Sequence, residues 1–529
     1  MRSLRGLEEV ARSFGLLVRQ PTVVCLSLFL LFAGVAAAQI DHVQNAARLL
    51  DEGRLNDAEA QARLALNTPG TRALALSILG TIRVQEGKYQ EGEQFLTKAL
   101  ALEPKLVGAR ITLGEDYVFE NKLREARISF QEALRRDPTN FNARYDLGKV
   151  DSSLLSFRES LETLKPIAAK LSTSSDGLLV LAANYGPLGE KDELHGTFEK
   201  WQQLPSPPSD DASLDFGTML NNYGMPNEAK VILAAVEKSI QAHPASPLTL
   251  KLARAYLSMG DLTRGEKYSQ LALSLNPNCS VCDLTLAEIA EQQGASEKAL
   301  AYLLEAKKLS PHNPEVLFEF GKVCLRRDLI KDAMPALEEA VALRPQQDSY
   351  VYVLASAHVS DGNLARAAGL LSSLLQKHPD DSVLNYAMGA VYYLQAKLPE
   401  AESSLRRSLT LKPDQVAASY YLALTYEGQG DDERAASLFR EVIKRQPDHG
   451  LAYVKLGTIL VRQRQYAEAH DDLQKAVSLV PDSVEAHYQL GMVLRRLGKT
   501  AESEVQFAQS RKLQDEHHSR MRFQLLLPD

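Results

Sequence analysis

The strongest constraint in this sequence is a period. Between Leu248 and Arg511 a small residue returns every 34 positions: Ala253, Ala287, Gly321, Ala355, Gly389, Ala423, Gly457 and Gly491. Twelve positions after each beat stands a second small residue, from Gly265, Ala299, Ala333 and Ala367 through Ala401, Ala435 and Ala469 to Ser503. Twenty-four positions after the beat comes proline, from Pro277 to Pro481. A fixed period in this range marks tandem supersecondary units that stack into a solenoid, each unit packing only on its neighbours. It also lifts the usual size limit, since a globular chain of 529 residues would be expected to divide into several cored domains.

The spacing of apolar residues predicts two helices per unit. In residues 380–413, Val383, Ala387, Val391 and Leu394 fall on one helical face, and Ala401, Leu405 and Leu409 on one face of a second helix. Glycine closes many first helices (Gly260, Gly362, Gly430, Gly498), and proline stops the second. Asp380, Asp414, Asp448 and Asp482 then stand where a cap for the next helix is needed. The two small residues let the paired helices cross closely, and Ala272, Ala306, Ala340 and Ala476 leave room for the next unit to dock. A bulky side chain at such a crossing would overpack it at a cost of roughly 1–3 kcal/mol.

Upstream the same beat runs through Gly80, Gly114 and Gly148, after a divergent opening unit with Ala46, Ala58, Ala65 and Pro69. It then decays. Pro166 falls inside an expected second helix, and Ala182, Tyr185, Gly189, Phe198 and Trp201 suggest a worn unit. The run from Leu204 to Asp211, with Pro205, Pro207 and Pro208, is incompatible with a helix interior and reads as a linker or a long turn. Gly217 and Ala229 restart the pattern. The expected division is an N-terminal array over 39–202, a Pro/Ser-rich linker over 203–211, a C-terminal array over 212–511, and a capping helix and tail over 512–529.

Residues 1–38 stand apart. Arg2, Arg5, Arg12 and Arg19 precede an apolar run from Val23 that ends in Ala36-Ala37-Ala38. A basic flank, an apolar core and small residues at the end make a signal peptide cut after Ala38, or, if uncut, a membrane anchor. Either way the repeats are expected outside the cytoplasm, periplasmic or secreted. The net charge of −7 gives no support for nucleic acid or anionic lipid as a partner, so membrane contact is expected only through an uncleaved N-terminal segment.

The repeats resemble the tetratricopeptide repeat family. Leu113-Gly114, Tyr117, Ala126, Ala133 and Pro138 match the family pattern at every place, and Leu456-Gly457, Ala469, Ala476 and Pro481 match it apart from Leu460, where an aromatic is usual. The resemblance implies an all-α superhelix of helix-turn-helix repeats, usually devoted to binding other proteins. It further implies that the first helices line a concave groove, with their fifth place pointing in. Here that place holds Phe318, Tyr352, Tyr386, Tyr420, Val454 and Tyr488, with Tyr393 and Leu325 further along. Such an aromatic ladder is suited to an extended peptide, a partner helix or a glycan chain; it is equally what half-buried packing residues would look like. The groove charges are mixed (Arg254, Glu288, Lys322, Arg326, Arg462), with a basic end at Arg495 and Arg496 that suits an acidic partner segment or a solvated face. The ninth place contains no asparagine, so neither the carboxylate clamp of chaperone-binding members nor the asparagine ladder of sugar-transferring members is expected.

Few residues suggest chemistry. Cys279-Ser280-Val281-Cys282 is a Cys-x-x-Cys at a helix start, where a thiolate is stabilised. It lacks a βαβ setting and a second pair to complete a zinc site, so a disulfide or an idle pair competes with a thiol-redox role. Residues 260–267 imitate a phosphate loop, but Glu266 stands where lysine is required. His517-His518 face apart on a helix. No cofactor, metal site or catalytic residue is expected. The sequence therefore points to an exported, non-enzymatic scaffold for a protein or peptide partner, and an export signal would place it in an envelope, secretion or polymer-export assembly. A glycan-binding module and a thiol-redox protein are the alternatives.

Overall fold

The computed structural model describes residues 37–516. Most of the expected signal segment, the His517-His518 pair and the apolar Phe523–Leu527 lie outside the described residues. Among the described residues the chain is helical throughout, in successive pairs joined by short turns and without strands.

A regular repeat shows why. The helix Ser382–Leu394 starts where Asp381 accepts the backbone N–H groups of Val383 and Leu384 at 2.8 and 3.0 Å, so the cap is the residue after the one the sequence singled out. The partner helix Leu398–Leu411 follows a tight turn. In that turn the Ala396 N–H bonds the Tyr393 carbonyl and the Lys397 N–H bonds the Tyr392 carbonyl, both at 2.9 Å. The geometry requires a left-handed residue seven positions after the beat. Glycine supplies it at Gly260, Gly294, Gly362, Gly430 and Gly498, but Asn121, Leu155, Asp328, Ala396 and Arg464 adopt it as well. Glycine is thus the cheapest occupant of the turn, not a condition of it.

The beat itself is set by a contact the spacing did not reveal. A Cβ added at Gly389 would lie 2.6 Å from Leu405 Cγ, and one at Gly457 would lie 2.5 Å from Leu473 Cγ. The small residue makes room for a large one sixteen positions on. Where serine replaces the second small residue, its hydroxyl caps the crossing: Ser160 donates to the Gly148 carbonyl and Ser503 to the Gly491 carbonyl, each at 2.7 Å. Ala272, Ala306, Ala340 and Ala476 are fully buried, as their docking role requires.

The worn stretch is also helical. Pro166 shortens its helix to Phe157–Leu164, followed by a 3-10 turn over Lys165–Ile167 and a short helix Ala168–Leu171. The next pair, Ser175–Leu188 and Lys191–Gln202, is intact and turns at Gly189. Residues 203–209 connect it to the helix Asp210–Asn222, which Ser209 caps at Ala212 N–H. Packing runs across this connection: Trp201 stacks on Phe216 at 4.3 Å, and Leu178, Ala182, Phe198 and Leu220 belong to one apolar cluster. The Pro/Ser stretch is therefore a turn inside one compact unit that runs to Asn276. A second compact unit begins at Pro277.

Candidate functional site

In the unit from Pro277, the aromatic side chains at the fifth place of the first helices are largely interior. Phe318 is 4 %, Tyr352 5 % and Tyr386 2 % exposed. Phe318 stacks on Tyr350 at 4.1 Å, and Tyr386 meets Tyr421 edge-on at 5.8 Å. Burial pushes the Tyr352 phenol well above its ordinary range. Tyr420 and Tyr393 are half-buried, both edge-on to Tyr421 at 5.9 Å, and Tyr420 also lies 4.7 Å from the His449 ring. Val454 is buried. The expected open ladder is corrected accordingly: stacking one first helix against the next fills this register with neighbouring side chains. An open platform for a glycan or an extended peptide at Phe318, Tyr352 and Tyr386 loses its support.

Four large apolar side chains on these helices do remain open. Val281 and Val383 are each 39 % exposed, and Leu451 and Tyr488 are each 49 % exposed. Val281, Val383 and Leu451 share one register, six positions before their beats, with Ala417 between the last two. No sequence rule set them apart from the buried rungs, because helical periodicity gives a face and not the depth of its neighbours. Tyr488 packs its ring 5.7 Å from Phe507. Arg495 lies 4.8 Å over the same Phe507 ring and pairs with Glu504 at 2.8 Å, while Arg496 is exposed beside it.

Several charges on these helices answer one another between repeats. Arg326 reaches Glu291 at 3.0 Å, Lys455 reaches Glu485 at 2.9 Å, and Arg462 meets Asp432 at 2.7 Å and Glu427 at 3.1 Å. Partly exposed pairs of this kind each contribute about 1 kcal/mol or less, so they set register more than stability.

The unit ending at Asn276 has a different interior. Glu115 and Asp146 face each other from successive first helices, with Lys149 3.5 Å from Asp146. Burial, and then the Asp146 charge, pushes the Glu115 carboxyl up to about 8. Asp116 is fully buried, its oxygens lack a hydrogen bond of good geometry, and burial pushes it up to about 7. Asp151 is raised to about 6 by burial despite Arg127 at 2.7 Å. Nothing in the sequence sets Glu115 and Lys149 apart or shows that carboxylates are gathered around them.

Cys279 and Cys282 are joined by a disulfide at the start of the helix Ser280–Gln292. Cys324 is buried, and burial pushes its thiol up to about 11. Among the described residues no group of His, Cys, Asp and Glu is placed to hold a metal ion, and no helix is long and apolar enough to cross a membrane.

Tandem helix pairs with a small-to-large contact at most crossings define a helical-repeat protein. The family model described as "Tetratricopeptide repeat" matches residues 250–314, 386–449 and 454–513, and that described as "Cilia and flagella-associated protein 70 middle TPR-like domain" matches residues 283–410. Over residues 250–513 the repeats are of the tetratricopeptide kind. Among curated relatives it is 22 % identical over 289 residues to "Protein CTR9 homolog" of Arabidopsis thaliana, covering 53 % of this chain and 26 % of the relative. It is 23 % identical over 325 residues to "Cellulose synthase operon protein C" of Pseudomonas fluorescens (strain SBW25), covering 60 % of this chain and 21 % of the relative. The chain thus spans about a quarter or less of the length of these relatives. Among solved structures, the Cut9 complex "APC/C hetero-tetramer Cut9-Hcn1" aligns with a TM-score of 0.49 at 14 % identity over 91 % of this chain and 94 % of that one. "Yeast Tom70" aligns at 0.35 and 15 % identity over 91 % and 99 %.

Proposed function

We propose that the chain is an exported scaffold that holds a protein partner on the first-helix face of residues 382–496. The partner rests an apolar side on Val383, Leu451 and Tyr488 and turns an acidic flank toward Arg495 and Arg496. The observation that carries this reading is the exposure of those three apolar side chains on helices whose other large apolar residues are mostly buried. Export rests on the basic, apolar and small-residue pattern of residues 1–38. The relatives' names do not select a pathway, since differently named proteins match through the same kind of repeat.

The test is capture of partners by the full chain against the Leu451→Glu plus Tyr488→Glu variant, with circular dichroism to confirm that both are folded. Partner recovery should fall several-fold in the variant. Equal recovery from both would remove the face from consideration. N-terminal sequencing of the protein recovered from expressing cells tests export: a start at Gln39 is expected, and a cytoplasmic chain starting at Met1 counts against it.

A further inference from the structure

The repeats themselves show what the position of Cys279 does. Eight positions before the beat, at the N-cap of the first helix, stand Asn140, Asn313, Asp381, His449 and Ser483, and the side chain of each accepts a backbone N–H of its helix. In the repeat that follows Pro277 this position is Cys279, whose Sγ accepts the Cys282 N–H at 3.1 Å. Asp381 carries a carboxylate at the equivalent place, so the turn accommodates a capping atom with a full negative charge. A Cys279 thiolate would meet the same N–H groups and the same positive helix end, the setting that makes a thiol acidic and nucleophilic.

The two sulfurs are not equivalent. Cys279 is half-buried at the helix start, whereas Cys282 is fully buried one turn in. An external sulfur therefore reaches Cys279 first.

The bond is also a poor staple. It joins residues three apart and so restricts the unfolded chain little. Leu284, Leu286, Ala287 and Ile289 already bury the helix, and the equivalent pairs Asn313/Val316 and Asp381/Leu384 serve their repeats without a bridge.

We propose that Cys279 and Cys282 form a dithiol–disulfide exchange site whose substrate is the disulfide of a small thiol or a peptide. In the reduced site the Cys279 thiolate attacks one sulfur of that disulfide, forming a mixed disulfide and releasing the first substrate thiolate. Cys282 then attacks Cys279 Sγ, and its proton goes to the departing second thiolate. The protein disulfide forms, and the substrate leaves as two thiols, two electrons having moved. Run backwards, a dithiol reduces the site.

The test uses the full chain in glutathione buffers of graded ratio, with acid quenching, alkylation and peptide mapping to separate Cys279 and Cys282 from Cys25 and Cys324. A two-electron interconversion within the accessible glutathione range is expected. Cys282→Ser should accumulate a glutathione adduct on Cys279 at least tenfold faster than Cys279→Ser does on Cys282. Cys279→Asp, which keeps a capping acceptor, should keep the helix and abolish exchange. A bridge that stays closed under excess reduced glutathione, thiols that stay free under excess oxidised glutathione, or faster reaction at Cys282 overturns the proposal.

Discussion

Particular first helices of the two units fill the same registers in opposite ways. One position after the beat, the first unit has Glu115 where the second has Ala390 and Leu424; two positions after it, Asp116 corresponds to Val391, Thr425 and Ile459. Two positions before the beat, Asp146 corresponds to Ala387 and Tyr421, and three after it, Asp151 corresponds to Tyr426 and Leu460. The residues named in the second unit are buried and mostly apolar, although Glu288, Glu319, Lys322 and Lys455 carry charge at the same registers in its other repeats; those named in the first are carboxyls pushed up to between about 6 and 8 where a value is resolved. The helix pair tolerates either set because its crossing depends on the beat and its large partner, and these registers lie beside that contact. The two sets differ in their response to solvent conditions: apolar burial is indifferent to pH, whereas a buried carboxyl is not.

Four measurements would break or sharpen this contrast. The largest effect is expected in the aromatic interior. Tyr386→Ala should destabilise the second unit by about 3–5 kcal/mol in denaturant unfolding, the cost of emptying a buried aromatic site. A loss below about 1 kcal/mol would return Tyr386 to the surface and revive the open ladder.

Asp116→Asn comes next. Its folded pKa lies above the unfolded value, so the stability it contributes is full at low pH and is lost as pH rises from about 4 through about 7. The variant should therefore stabilise the first unit above pH 7, by about 2–4 kcal/mol, and change little near pH 4. Hydrogen exchange of peptides within residues 37–276 reads this directly, and a gain independent of pH would show that the carboxyl is not held protonated.

Gly389→Ala tests what both units share. The added methyl collides with Leu405, so a loss of roughly 1–3 kcal/mol is expected. A neutral result would mean that the beat is not set by this contact. The smallest effect is at the turn. Leu155 holds a left-handed conformation at φ 61°, and Leu155→Gly should gain about 1 kcal/mol in thermal unfolding while Gly430→Ala loses a similar amount.

Much of the architecture was legible because a repeat states its rule many times. Each instance of Gly389 or Ala423, Ala401 or Ala435, Pro379 or Pro413 supports the same helix pair, so local exceptions such as Pro166 do not hide it. The candidate site was legible only in outline. Periodicity placed Phe318, Tyr352, Tyr386, Val383, Leu451 and Tyr488 on the first helices but could not rank their exposure, which depends on how far each neighbour reaches. The same limit hid the acids: Glu115 and Asp146 lie on different helices, and a shift that arises from their shared burial has no trace in either segment alone.

The period by itself determined helix pairs, their order and the places where small residues must stand, because backbone crossing at close range excludes side chains whatever lies around it. The tertiary structure decided which members of an apparently uniform stripe are interior and which reach solvent, since burial is a property of the neighbours and not of the residue. It also assigned the Cys-x-x-Cys its geometry, one sulfur in the N-cap position and the other in the core. That asymmetry comes from the helix start and its packing, and two cysteines in a sequence do not carry it.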